Sequence, residues 1–115
     1  MKKLSIILTI IMIAVSVLTV FAKDSFTPII IDARTAQEFD KGHVEGAILI
    51  AYDQLGGKIG FFVKDKSQKV YIYCRSGRRS KIAKETLEKL GYKDIIDLAT
   101  LQNAAKFLNR KIVNK

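Results

Sequence analysis

The chain has 115 residues, with 20 Lys and Arg against 11 Asp and Glu, one His, one Cys, one Pro and no Trp. That length holds one domain rather than two, and a single Cys beside a single His builds neither a zinc site nor an internal disulfide framework. Apolar residues at 49% and charged ones at 27% exclude a disordered or collagen-like chain, while a net charge of +9 favours anionic partners without naming one.

Residues 1–22 have the pattern of an export signal. Lys2 and Lys3 precede an uncharged stretch from Leu4 to Phe21, and Val20 and Ala22 fit the small-residue rule before a signal-peptidase cut. The same stretch reaches the length of a bilayer span, about 18 residues, so an uncleaved anchor is the alternative. Either way the two lysines hold the N-terminus inside, which puts the domain of residues 23–115 outside the cytoplasmic membrane. It is expected in the periplasm if the signal is cut, and tethered to the outer face of that membrane by residues 4–21 if it is not.

Ile29-Ile30-Ile31 is a wholly apolar run, the mark of a strand buried on both faces, and it ends in Asp32-Ala33-Arg34. Thr35 and Glu38 have capping-box spacing, which predicts a short helix from Thr35 to just before Gly42. Residues 47–51 form a second apolar run. Residues 52–63 stay open: Gly56, Gly57 and Gly60 weaken a helix, and Phe61, Phe62 and Val63 are available to the core. A turn over 65–67 precedes a strand over 70–73. Residues 80–90 make the clearest helix, with Ile82, Ala83, Leu87 and Leu90 on one face and Gly91 as its stop. Residues 94–97 read as a strand, 101–109 as a closing helix, and the Lys-rich end as a frayed tail. Tyr71 and Tyr73 are expected on opposite faces of their strand, packing rather than stacking on a substrate. Apolar strands alternating with helices predict an α/β domain: a small, mainly parallel sheet flanked by helices on both faces. Ligands gather outside the carboxyl ends of such strands.

There the sequence places Cys74-Arg75-Ser76-Gly77-Arg78-Arg79, between the strand over 70–73 and the helix from Ser80. Unpaired N–H groups and the positive end of a helix dipole point into such a loop, and Gly77 permits the tight turn that gathers them round one point. With three arginines adjacent, thiolate is favoured over thiol, which makes Cys74 a nucleophile. Its polar neighbours are poor company for a core residue. The expectation requires that the sulfur face the surrounding amides and not be sealed in the apolar interior.

These residues resemble a family. Ile31-Asp32-Ala33-Arg34-Thr35 with Glu38-Phe39, then Gly42-His43-Val44-Glu45-Gly46-Ala47-Ile48, and then Cys74-Arg75-Ser76-Gly77-Arg78-Arg79-Ser80 before Gly91-Tyr92, are similar to a single rhodanese (thiosulfate sulfurtransferase) domain, most of all to its small exported bacterial members. The resemblance implies that Cys74 takes a sulfane sulfur from thiosulfate or a similar donor as a persulfide and passes it to a thiophilic acceptor, cyanide or a thiol. It implies a cradle of N–H groups from Arg75 to Ser80, with Arg75, Arg78 and Arg79 available to hold the anionic donor. Asp32 and Arg34 are expected to pair and shape the site, since a charge at that strand end needs a partner. No metal or cofactor is called for. The expected partners are the small anionic donor and the thiophilic acceptor, met by a monomer; nucleic acid is not among them, because the lysines are scattered without an aromatic–basic array. The membrane enters only through an uncleaved N-terminal segment.

Phosphatase relatives use a Cys-x5-Arg loop; here the residue after five intervening positions is Ser80, and Arg79 follows only four, so the short loop favours sulfur over phosphate. His43, in its Gly-His-Val-Glu-Gly setting, is expected to fix a loop rather than act as a base. Two stretches depart from the family: Leu49 and Ala51 stand where Asn and Pro are usual, and Leu98-Ala99-Thr100 replaces a Gly-Gly. They put the neighbouring pocket wall in question and leave open a weak sulfur carrier or binding module.

Overall fold

The computed structural model describes residues 27–115; the expectations for residues 1–22 lie outside the described residues. Four parallel strands form the sheet: β1 (Ile29–Asp32), β3 (Ile48–Leu49), β4 (Val70–Cys74) and β5 (Ile95–Thr100), in the order β3-β1-β4-β5. The central pair, β1 and β4, is buried on both faces, which is why both read as apolar runs.

Helices cover both faces. On one, α2 (Leu55–Phe62) and α3 (Arg78–Lys89) close a core that includes Ile31, Leu55, Ile59, Ile72, Ala83 and Leu87. On the other, α4 (Leu101–Leu108) packs Leu101, Ala104 and Leu108 against Ile30, Tyr73 and Leu98. Short α1 (Ala36–Lys41) is capped by Thr35, whose side chain accepts from the Glu38 amide while Glu38 reaches back to the Thr35 amide, as the spacing predicts.

Several local expectations need correction. Residues 55–62 are helical despite three glycines, because Leu55 and Ile59 bury one stripe and Gly56 lets α3 approach; a Cβ there would stand 3.2 Å from Thr86 Cγ2. Of the three residues offered to the core, Val63 is buried, but Phe61 is 81% exposed. The core stripe of α3 is Ser80, Ala83 and Leu87, and Leu90 lies outside it, 40% exposed. Tyr71 and Tyr73 share one face, as the two-residue repeat of a strand requires, and both pack in the α4-side cluster. The Lys-rich end is not frayed: β6 (Ile112–Val113) pairs antiparallel with β2 (His43–Val44).

Candidate active site

The alternation of β4 decides where Cys74 points. Val70, Ile72 and Cys74 share the α3-side face, so the thiol projects beneath the loop into the same core cluster. Cys74 is the last residue of the strand and has no exposed surface. This corrects the expectation of a loop thiol unsuited to the interior. The sulfur nonetheless faces the loop amides: the Gly77 N–H donates to Sγ at 3.0 Å, and Ser80 Oγ lies 3.5 Å from it. Helix α3 begins at Arg78, two residues earlier than expected, with Gly77 at φ 97 as its N-cap. That left-handed turn, which glycine adopts without penalty, bends the chain so that successive N–H groups converge.

Burial pushes the Cys74 thiol up, but hydrogen bonds from the Ser80 side chain and from the amides of Ser80, Gly77 and Ser76 outweigh it, leaving the pKa below the ordinary thiol value. In the thiol form Sγ donates to Ser80 Oγ while the Ser80 hydroxyl donates to the Gly77 carbonyl at 3.2 Å; when the thiolate forms, that one hydroxyl proton turns to the sulfur instead.

Asp32 and Arg34 pair as expected. Arg34 Nε and Nη2 donate to Asp32 Oδ1 and Oδ2 at 2.9 and 2.7 Å, and Nη2 also donates to the Gly42 carbonyl at 2.6 Å. The Tyr73 hydroxyl donates to Asp32 Oδ2 at 2.7 Å and accepts from the Val44 N–H at 3.0 Å. Burial first, then the Asp32 charge, raises the Tyr73 pKa, so its hydroxyl keeps its proton and remains a donor. These contacts tie β1, β2 and β4 together at the carboxyl end of the sheet. The sequence assigns Tyr73 to packing alone, because a tyrosine in an apolar strand carries no mark of its hydroxyl's partner.

The three loop arginines diverge. Arg79 makes a two-pronged pair with Glu38, Nη1–Oε1 2.7 Å and Nη2–Oε2 3.0 Å, so the expectation that it is free to hold a donor is corrected. The Arg79 bond, working against partial burial, holds the Glu38 carboxyl down at about 2. Arg75 and Arg78 are exposed, and Arg75 lines a cleft with Arg34, Glu38, Lys41, Leu101 and Gln102. His43 stacks on Phe39 with ring centroids 3.6 Å apart, and its Nδ1 lies 2.8 Å from the Phe39 carbonyl, which fixes the loop.

Among the departures, Leu49 and Ala51 line a separate cleft with Arg34 and Thr35. Ala99 lies beside the loop. Its backbone is left-handed at φ 66, in a bulge of β5 where Leu98 has no partner, and the Asp97 carboxylate holds its N–H at 2.9 Å. A Cβ on Gly77 would stand 3.4 Å from the Ala99 methyl, so that methyl rests against the residue that supplies the amide to the sulfur.

A parallel α/β sheet with one buried, amide-ringed cysteine at its carboxyl edge defines a cysteine-loop domain. The rhodanese-like domain family matches residues 20–100, and the chain belongs to that family. It is 35% identical over 88 residues to the thiosulfate sulfurtransferase PspE of Escherichia coli, covering 76% of this chain and 81% of that protein. It is 32% identical over 69 residues to the putative sulfur carrier protein YrkF of Bacillus subtilis, covering 60% of this chain and 36% of that protein. Among solved structures, a rhodanese with anions from E. coli superposes with a TM-score of 0.71 at 31% identity, covering 77% of this chain and all of that one.

Proposed function

We propose that the chain is a thiosulfate-type sulfurtransferase with Cys74 as the sulfur carrier. The Cys74 thiolate attacks the outer sulfur of thiosulfate; the S–S bond breaks, its electron pair leaves with sulfite, and Cys74 keeps the sulfur as a persulfide anion. Cyanide then takes that sulfur as thiocyanate, or a thiol takes it as a new persulfide, and the thiolate returns. Charge and electrons balance in both halves without a cofactor.

The observation that carries this function is the environment of Sγ: amides of Ser76, Gly77 and Ser80 with the Ser80 hydroxyl hold the pKa down despite full burial. Such preorganised donors stabilise thiolate and persulfide alike. Arg75 and Arg78, exposed in the segment that follows Cys74, add positive charge near it, and the Asp32–Arg34 pair fixes the adjacent strand end. The N-terminal pattern supports an exported domain over residues 23–115.

Intact mass after exposure to thiosulfate tests the carrier step. We expect a gain of one sulfur atom that cyanide removes, and thiosulfate:cyanide turnover that vanishes in Cys74→Ser. Turnover that survives in that variant overturns the assignment. The complete burial of Cys74 and the similarity to a putative sulfur carrier favour a second function, in which the persulfide forms but small thiophiles turn over slowly. Sulfur loading without cyanide turnover selects it.

A further inference from the structure

Among the described residues, the large apolar side chains that stand exposed are Phe61, Phe62, Leu90, Phe107 and Ile112. Scattered singly such residues are ordinary, but all except Ile112 share one place. Phe61 and Phe62 end α2, Leu90 caps α3, and Phe107 lies in the last turn of α4. The Lys66 ammonium donates to the Leu90 carbonyl at 2.7 Å and the Tyr92 hydroxyl to the Val63 carbonyl at 2.6 Å. These bonds fasten the ends of α2 and α3 together just before β4 and β5 begin. On the other side of the sheet the Phe107 ring stands 6.1 Å from that of Tyr71, the second residue of β4. The exposed rings thus flank the amino edge of the sheet, opposite the edge that carries Cys74.

Lys64, Lys66, Lys69, Lys89, Lys93 and Lys106 are exposed in the same end segments, and among the described residues none has a carboxylate within ion-pair distance. The acids there are fewer, Asp65, Glu88 and Asp94, and Asp65 is taken up by Ser67. Aromatic rings set among lysines complement a partner with a negative surface and an apolar interior. The described chain also begins at this edge, with Thr27 and Pro28 beside Lys69 and Tyr71. The uncharged stretch from Leu4 ends at Phe21, so a bilayer that held it would keep Thr27 within about 20 Å. We propose that the amino edge of the sheet is a docking surface for an anionic lipid bilayer, with Phe61, Phe62, Leu90 and Phe107 among the headgroups and the lysines on lipid phosphates. Docking turns Cys74 and its loop towards the aqueous phase. The proposal stands apart from the sulfurtransferase function and adds a contact of the folded domain to the tether that residues 4–21 offer.

The chain holds no Trp, so a single introduced Trp reports its own position. Full-length protein from cell-free synthesis, with residues 1–22 retained, is placed in nanodiscs whose acyl chains carry bromine, a quencher of nearby Trp. In discs containing phosphatidylglycerol, Phe61→Trp and Phe107→Trp should be quenched, whereas Gln102→Trp, in the first turn of α4 near Arg75, should not. Replacing the anionic lipid by phosphatidylcholine leaves any tether in place and should abolish the quenching at both positions. So should salt at about 1 M, where the screening length is about 3 Å. Lys89→Gln with Lys93→Gln, in the Phe61→Trp background, should cut the docked-to-free ratio at least about tenfold. Phe61→Ser with Leu90→Ser, read from the probe at 107, should lose the quenching likewise. Equal quenching in both lipids means that the tether alone brings the domain near the bilayer. A probe at 102 quenched as strongly as the others means unoriented adsorption. Emission at 61 that shifts to the blue with protein concentration, without lipid, means that a second copy covers the face. Each of these outcomes, or the absence of quenching at 61 or at 107, overturns the docking surface.

Discussion

Ala99 holds a backbone conformation that costs an ordinary L-residue about 1 kcal/mol or more and costs glycine nearly nothing. The bulge imposes it, and the Asp97 carboxylate secures it by taking the Ala99 N–H. Ala99→Gly should therefore raise the urea midpoint, by no more than the equivalent of about 1 kcal/mol, because glycine also loosens the unfolded chain. A lowered midpoint would show that the methyl's contact at Gly77 outweighs the strain. Nothing in the sequence marks Ala99 as left-handed; only its place where the family carries glycine pointed to it. Cys74 is the converse case. Its proximity to a helix N-terminus followed from the neighbouring residues, whereas its burial followed from strand register, which a loop assignment starting at Cys74 had concealed.

At the scale of elements, Glu38 serves two structures at once. It completes the cap of α1 and anchors Arg79 at the start of α3. Its carboxyl sits near 2 in the folded protein against an ordinary value of 4.5. The folded pKa is the lower one, so the stabilisation is complete above 4.5 and is lost as the pH falls towards 2. Glu38→Gln, followed by urea unfolding across that range, should be less stable than the parent at neutral pH by about 1 kcal/mol, with the difference closing on acidification. A gap independent of pH would contradict this. The capping box was legible because its spacing is local; the bond to Arg79 was not, because it joins residues 41 positions apart. The same division explains α2, where three glycines argued against a helix that only tertiary packing on α3 stabilises.

At the scale of the whole molecule, the C-terminus closes the α4 side. The β2–β6 pairing places Ile112 against Gly42, where a Cβ would stand 3.3 Å from Ile112 Cγ2, and the Glu45 N–H donates to the Lys111 carbonyl at 2.9 Å. The neighbouring Val44 N–H is held separately by the buried Tyr73 hydroxyl. Removal of residues 111–115 should accelerate amide exchange at Glu45 by at least about tenfold while Val44 stays protected. Equal acceleration at both would mean that β2 depends on β6 for its place in the fold. The α/β architecture with a parallel sheet was legible from apolar runs and their spacing. The terminal strand was not: a two-residue strand flanked by lysines has too little pattern, and its partner is supplied by the remote segment His43–Val44.

The inward-facing thiol has a bearing on handling. Two copies can be joined by a disulfide only at Cys74, the single cysteine of the chain, and such a bond needs their Cα atoms within about 7 Å. The residue closes a central strand and lies beneath its own loop, which keeps a second folded molecule from approaching that near. Aerated samples should thus run as single chains on a non-reducing gel, and any covalent pair would report molecules that had opened beforehand.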